Sequence, residues 1–459
     1  MYKYEKTLLL ILSAIYAIIG YNISHPTIDT LGVMGWLGVF QLVYCIISWM
    51  KRGNHFISPY VIFLLALYLF SFGQSFLWAL GFEFERTLIG FQGINVVEIF
   101  KAQVITLIML AFFHIGATYG ISKRKLIQYK PHKDHTNNLK QVGWILFVAS
   151  FYPYVRETIN DMILSMTMGY NALYEGDAKV GMGSFSGFIA GYFIPSIICL
   201  FIAYRENKIL RTIFIVMLSL NVIAILLTGG RSNAVILLAI LLILYNYLVK
   251  KFTKKWILLG LAGAFLLLQI LAFVGTVRTE GNRATNLDDF KVENNAGVDA
   301  IAEMGSTMFC LIKTMNLVPE KFDYRYGKSY VYSFSTLIPN LGFWDIHPAK
   351  KEANLGDWLT QSLGLSYGTG YSMCAEAYAN FGYWGFLLFF FWGWFIANVF
   401  GRIEISVQTK NYALMAFLMI LFWYFLKLPR NNFINIIRPI FFVAGPIYLY
   451  CTKLKFRVR

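Results

Sequence analysis

Apolar runs long enough to cross a bilayer recur along most of this chain, and they settle its class. A transmembrane helix needs about 20 predominantly apolar residues. Such runs fall at 7–22, 31–50, 57–80, 98–121, 141–158, 185–204, 209–228, 232–250, 255–277, 382–401, 411–427 and 433–451. In hydrocarbon, each backbone N–H and C=O must be paired inside its own segment, so the runs predict helices and exclude open sheets. A composition with 58% hydrophobic and 14% charged residues leaves too little polar surface for an ordinary soluble fold. The expected fold is all-α, a polytopic membrane protein of about twelve transmembrane helices. The first run, Leu8 to Ile19, follows Lys3 and Lys6 as in a signal peptide. No small-residue cleavage site follows it, so it reads as an uncleaved first helix.

One polar stretch interrupts the pattern. Residues 278–381 separate a first bundle, 1–277, from a C-terminal set of helices, 382–459. The net charge of +16 gives the orientation. With the N-terminus inside the cell, nearly all the excess of lysine and arginine falls on cytoplasmic connections, as the positive-inside rule requires. Both termini are then cytoplasmic, and 278–381 is one large external loop. Topology and anionic lipid account for the charge, and no basic run interleaved with aromatics points to nucleic acid. Inside the loop, Val298, Ile301, Met304, Met308, Leu311, Ile312 and Met315 recur at helical spacing. They predict an amphipathic helix of about 20 residues, its apolar face in lipid or on the bundle. Phe334 to Trp344 is apolar and proline-broken, and is expected to dip into the interface. The five cysteines have no metal or redox spacing, so buried free thiols are expected, although Cys310 and Cys374 could both face outside.

Several polar residues could carry chemistry. Gly229-Gly230-Arg231-Ser232 opens the eighth run. Free N–H groups at a helix start bind anions, glycine lets a phosphate approach, and arginine clamps it bidentately. Arg278 and Arg283 leave the ninth run on the same side, and Arg325, Arg430 and Arg438 join them. Arg438 lies inside the last apolar run, where a charge is costly and usually faces a cavity. Such a set suits a polyanionic headgroup, a lipid diphosphate above all. For a general base, Glu376 is the first candidate, beside small residues just before the tenth run, Glu303 is the second, and His347 competes with both. Each of the three also fits a plain structural hydrogen bond. Glu83 and Glu85, and Glu175 and Asp177, have an i, i+2 spacing seen at some metal sites, but no Asp-x-Asp occurs and no metal is expected. Aromatics cluster at Phe322, Tyr324 and Tyr326 and at Phe381, Tyr383, Trp384 and Phe386, and most should belong to interfacial belts. Tyr367, Tyr371 and Trp358 could instead stack on sugar rings.

The short motifs among these residues resemble the O-antigen or oligosaccharide repeat-unit polymerase (Wzy-type) family. They are Gly229-Gly230-Arg231-Ser232, Glu303-Met304-Gly305-Ser306, Gly370-Tyr371-Ser372 running into Ala375-Glu376-Ala377-Tyr378, Asn380-Phe381-Gly382, and Leu428-Pro429-Arg430-Asn431-Asn432. The resemblance implies a GT-C-like glycosyltransferase of a bacterial cytoplasmic (inner) membrane. Such an enzyme moves a growing glycan from undecaprenyl diphosphate onto a new lipid-linked repeat unit, making O-antigen, capsule or a related polysaccharide. It implies no cofactor, and as partners the lipid-linked donor and acceptor, a chain-length regulator and a flippase. Gly230, Arg231, Arg278, Arg283, Arg325, Arg430 and Arg438 would hold the diphosphate, and Glu376, Glu303 or His347 would take the acceptor proton. Two other readings compete. One is an O-antigen ligase, which also uses an external histidine. The other is a flippase for lipid-linked oligosaccharide, which should keep its charges in a central cavity and its loops short.

Overall fold

The structure, a computed structural model, describes residues 2–82, 93–122, 135–168, 185–228, 230–253, 263, 296–340, 342–365 and 368–453. The expected span 255–277 lies outside the described residues, as do Glu83, Glu85, Glu175, Asp177, Gly229, Arg278, Arg283, Tyr367 and the side chain of Arg231. The described residues are helical with no strand. In order they form α1 (Tyr2–Asn22), α2 (Ile28–Lys51), α3 (Pro59–Ala79), α4 (Val96–Ser122), α5 (Thr136–Met168), α6 (Phe185–Ala190) and α7 (Phe193–Ala203). Next come α8 (Lys208–Leu227), α9 (Arg231–Leu248), α10 (Ala296–Gly305), α11 (Met308–Leu317), α12 (Lys328–Ser333), α13 (Pro348–Glu352) and α14 (Leu355–Ser362). The chain closes with α15 (Met373–Phe381), α16 (Gly385–Phe400), α17 (Arg402–Gln408), α18 (Tyr412–Phe425), α19 (Ile434–Pro439) and α20 (Gly445–Lys453). Among the described residues, 8 stretches are long and apolar enough to cross a membrane, and Lys6–Asn22 and Ser232–Leu248 are shorter apolar helices. Every expected span except 255–277 falls on helix.

The contacts divide the chain into two compact units. The first comprises Met1–Gln128, Ile301–Gly401 and Leu426–Arg438, and the second Tyr129–Ala300, Arg402–Phe425 and Pro439–Arg459. In the first unit the sequence starts its helices with caps. The Thr27 hydroxyl accepts from the Thr30 amide at α2, and Ser58 accepts from Val61 at α3, where Pro59 occupies the first turn. The closest packing joins α4 to α16. A Cβ on Gly116 would collide with the Phe390 carbonyl, and one on Gly393 with that of Phe113, so only glycine permits this backbone approach. Buried amides tie the helices together: Gln41 donates to the Leu107 carbonyl at 3.0 Å, Gln103 to that of Leu31 at 3.2 Å, and Gln74 to that of Ala302 at 3.1 Å. His114 is buried between the Tyr60 hydroxyl at 2.6 Å and Ser48 Oγ at 3.1 Å.

The expected amphipathic helix over 298–315 is broken. The chain instead forms α10 and α11, separated at Ser306 and Thr307. The cause is local. Ser306 Oγ donates back to the Glu303 carbonyl at 2.6 Å and Thr307 Oγ1 to that of Met304 at 3.0 Å, satisfying carbonyls that a continuing helix would use. Gly305 meets α3 so closely that a Cβ there would lie 2.5 Å from the Gln74 nitrogen. Val298, Met304, Met308, Leu311 and Ile312 are buried, so the apolar face lies on protein. All five cysteines are free and buried.

The second unit packs α5 against α7, where Tyr154 and Phe193 stack with ring centroids 4.2 Å apart. Tyr192 donates to the Phe442 carbonyl at 2.6 Å, and the Arg205 guanidinium lies 3.5 Å from the Tyr412 ring centroid. As the sequence predicts, α9 starts at Arg231 with Gly230 as its cap.

Candidate active site

The first unit gathers most of the short motifs around one carboxylate. Ser372 starts α15 by accepting from the Ala375 amide at 3.0 Å, and this places Glu376 on the buried side of the first turns. Glu376 is 1% exposed. Its two oxygens are both engaged: Ser329 Oγ donates to Oε1 at 2.7 Å, and the Phe433 N–H donates to Oε2 at 2.7 Å. One further turn along α15, the Asn380 amide donates to Ser329 Oγ and to the Glu376 carbonyl, both at 2.8 Å, while its oxygen accepts from the Gly327 N–H at 2.9 Å. Glu376 therefore joins α12, α15 and the segment leading into α19. With both oxygens accepting charge-assisted hydrogen bonds in a dry site, Glu376 braces these segments, while each oxygen keeps a second lone pair.

What the brace holds is cationic. Phe433 follows the 3-10 turn Leu428–Arg430, which packs against α3 and α15. The Lys427 carbonyl accepts from the Arg430 N–H at 3.2 Å and from the Asn431 side chain at 3.1 Å. Asn432 donates to the Ala353 carbonyl at 3.4 Å, and Asn435 donates to Asn432 Oδ1 at 2.8 Å. Lys427 and Arg430, both half-buried, thus sit in a fixed turn, with Arg430 in electrostatic reach of Cys310 on α11. Lys427 was not singled out in the sequence, because a lysine at the end of an apolar run reads as a border marker. The signal that could have found it is its place three residues before Arg430 in a proline turn.

Arg325 completes the cluster. Its guanidinium lies 5.1 Å from the Trp358 ring centroid and donates to the Glu352 carbonyl at 3.2 Å, with the Glu352 carboxylate at 3.6 Å. It is also in electrostatic reach of Tyr371 and Glu376. Tyr371 is buried with its hydroxyl 3.0 Å from Thr314 Oγ1, so it packs inside instead of offering a face to a sugar. Burial, and secondarily the Glu376 carboxylate, hold the Tyr330 phenol well above its usual pKa, so it stays a neutral donor. Burial pushes the Cys310 thiol up to about 12, which makes it an unreactive packing residue. Tyr330 Oη and Trp358 Nε1 are buried and without a hydrogen-bond partner among the described residues.

The other expected site residues fall elsewhere. His347 caps α13: Nδ1 accepts from the Ala349 N–H at 3.2 Å, and Nε2 lies 3.0 Å from the Ile338 carbonyl. A carbonyl only accepts, so Nε2 carries the proton and neither nitrogen is left for a substrate. Glu303 is half-buried on α10, two residues before the Gly305 contact with α3. Arg438 is exposed at the end of the first unit, and Gly230 and Arg231 belong to the second. Arg325 and the turn that carries Arg430 both reach the helix of Glu376, whereas Glu303 stands on a helix that meets the same α3 as that turn.

A family model described as O-antigen polysaccharide polymerase Wzy matches residues 6–455. The chain belongs to that family. It is thus an O-antigen polymerase, a multi-pass membrane protein of glycosyltransferase type that acts on lipid-linked oligosaccharide repeat units in the membrane. No curated protein and no solved structure matches it. In this polymerase the motif residues Gly305, Ser372, Glu376 and Asn380 have the structural duties described above, while Arg430 is a charge those duties hold in place.

Proposed function

We propose that this polymerase transfers the growing glycan from undecaprenyl diphosphate to the next lipid-linked repeat unit through the Arg325, Lys427 and Arg430 cluster. We read it as a GT-C-type enzyme of a bacterial inner membrane, with the cluster on the outer side and both termini in the cytoplasm. A chain-length regulator and a flippase would be its partners. The observation that carries the reading is the turn Lys427–Arg430, which holds two half-buried cations in a segment tied to the motif carboxylate through the Phe433 N–H.

The chemistry follows from charge. The acceptor hydroxyl oxygen attacks the anomeric carbon as the bond from that carbon to the diphosphate oxygen breaks. Undecaprenyl diphosphate leaves with the bonding pair, and its growing negative charge is met by positioned cations in a site poor in water. The hydroxyl proton needs an acceptor. We assign that role to Glu303, a half-buried carboxylate two residues from the Gly305 contact with α3, which passes the proton on to solvent. Tyr330 and Trp358 would donate to oxygens of the bound headgroup. Arg231, Arg278 and Arg283 stay proposed diphosphate ligands on their sequence pattern, and Arg438 is left out because it is exposed.

The test is kinetic. Arg430→Ala is expected to lower kcat about 10²–10³-fold, as loss of one preorganised donor to a developing anion does. Arg430→Lys should recover only part of that, because lysine lacks the bidentate fork. Lys427→Ala should act in the same direction, read as the rate of extension of a purified lipid-linked repeat unit. Unchanged rates in folded variants would contradict the assignment.

A further inference from the structure

The aromatic clusters at 322–326 and 378–384 are separate in the sequence but form one surface in the first unit. The Tyr324 ring stands edge-on to Tyr326 and to Tyr378, each at 6.3 Å, and Tyr378 stands edge-on to Tyr383 at 5.8 Å. Gly382, at φ +57°, admits the Tyr324 ring, which a Cβ would approach to 2.8 Å. Tyr378 is the buried base at 3% exposure, whereas Tyr326, Tyr383 and Trp384 are 75%, 62% and 68% exposed.

The backbone at Tyr326 is the second observation. Its φ is +48°, a left-handed conformation that a bulky side chain rarely adopts and that costs about 1–3 kcal/mol. Three hydrogen bonds hold it against the end of α15: Arg325 N to the Ala379 carbonyl at 2.9 Å, Tyr326 N to that of Asn380 at 3.0 Å, and Gly327 N to Asn380 Oδ1 at 2.9 Å. The turn that carries this strain presents the most exposed ring of the set. A ring that merely rests in lipid needs no strained backbone. The same turn carries Arg325, so the surface is continuous with the cationic cluster.

We propose that Tyr326, Tyr383 and Trp384 form a stacking platform for the sugar rings of the lipid-linked oligosaccharide. The apolar C–H faces of pyranose rings lie on aromatic faces, while the tyrosine hydroxyls meet sugar hydroxyls. The platform rests on the polymerase reading and adds the place where glycan, as distinct from diphosphate, is bound.

The probe is the free repeat-unit oligosaccharide released from its lipid, with the full-length protein in nanodiscs and saturation-transfer NMR as readout. Wild type should transfer saturation to the sugar ring protons. Tyr326→Gly should weaken binding about tenfold, a loss on the scale of one good aromatic contact. Glycine accepts the left-handed backbone, so the variant should melt no lower than wild type. Tyr326→Phe should keep binding, and Trp384→Ala should lose it. In polymerisation, Tyr326→Gly should raise KM for the acceptor with kcat little changed. Equal oligosaccharide binding by wild type and Tyr326→Gly would overturn the platform. So would absence of saturation transfer together with quenching of Trp384 by brominated lipid, which would make the surface an interfacial belt. In both cases a wild-type protein that still builds polymer leaves the polymerase reading standing, and loss of polymerisation by wild type would count against that reading instead.

Discussion

Glu303→Gln is expected to slow glycan extension by about 10²–10⁴-fold, the range that a positioned general base contributes. The variant keeps size and hydrogen-bonding capacity while removing the basic oxygen pair, so its melting temperature should stay within a few degrees of wild type. The expectation comes from the place of Glu303 in the first unit. Glu303 lies on the helix that Gly305 presses onto α3, and the cationic turn packs on that same helix. A purified Glu303→Gln protein that extends lipid-linked repeats at the wild-type rate would move the base elsewhere.

The second large effect separates alanine from glutamine at Glu376. Glu376→Ala leaves the Ser329 hydroxyl and the Phe433 N–H buried without their acceptors, at about 1–3 kcal/mol for each unsatisfied group. It should lower the melting temperature and release the Lys427–Arg430 turn, so polymer formation should fall about 10–100-fold or more. Glutamine keeps the geometry but strands the Ser329 hydroxyl proton. Its oxygen accepts from Phe433, and its amide donates to Ser329 Oγ, which also accepts from Asn380. Glu376→Gln strands one donor where alanine strands two, so it is expected to lose at most about tenfold in activity, about 1.4 kcal/mol. A folded Glu376→Gln protein as inactive as the alanine variant would show that the negative charge itself takes part in the reaction.

The sequence made the membrane helices legible because their signal is one-dimensional. Apolar length alone marks α2, α3, α4, α8 and α18, and no tertiary knowledge is needed. The importance of Glu376 was also visible, since a carboxylate among small residues at a helix start is unusual. Its role was not, because one residue's hydrogen-bond partners lie 47 and 57 positions away in the chain. His347 shows the same limit: as a lone loop histidine it suggests a base, and only the fold reveals it as a cap. The break between α10 and α11 was hidden by a hydrophobic stripe that runs through both helices without a gap. Lys427 escaped notice for an electrostatic reason, since lysines at span ends are common and only packing distinguishes a held charge from a border charge.

The central claim is repeat-unit polymerisation. It is tested most directly by supplying the purified wild-type protein, in liposomes, with a single lipid-linked repeat unit as both donor and acceptor. A ladder of lipid-linked products at integral multiples of the repeat is expected. Movement of the repeat across the bilayer with no ladder, or transfer of glycan only to a different lipid acceptor, would contradict it.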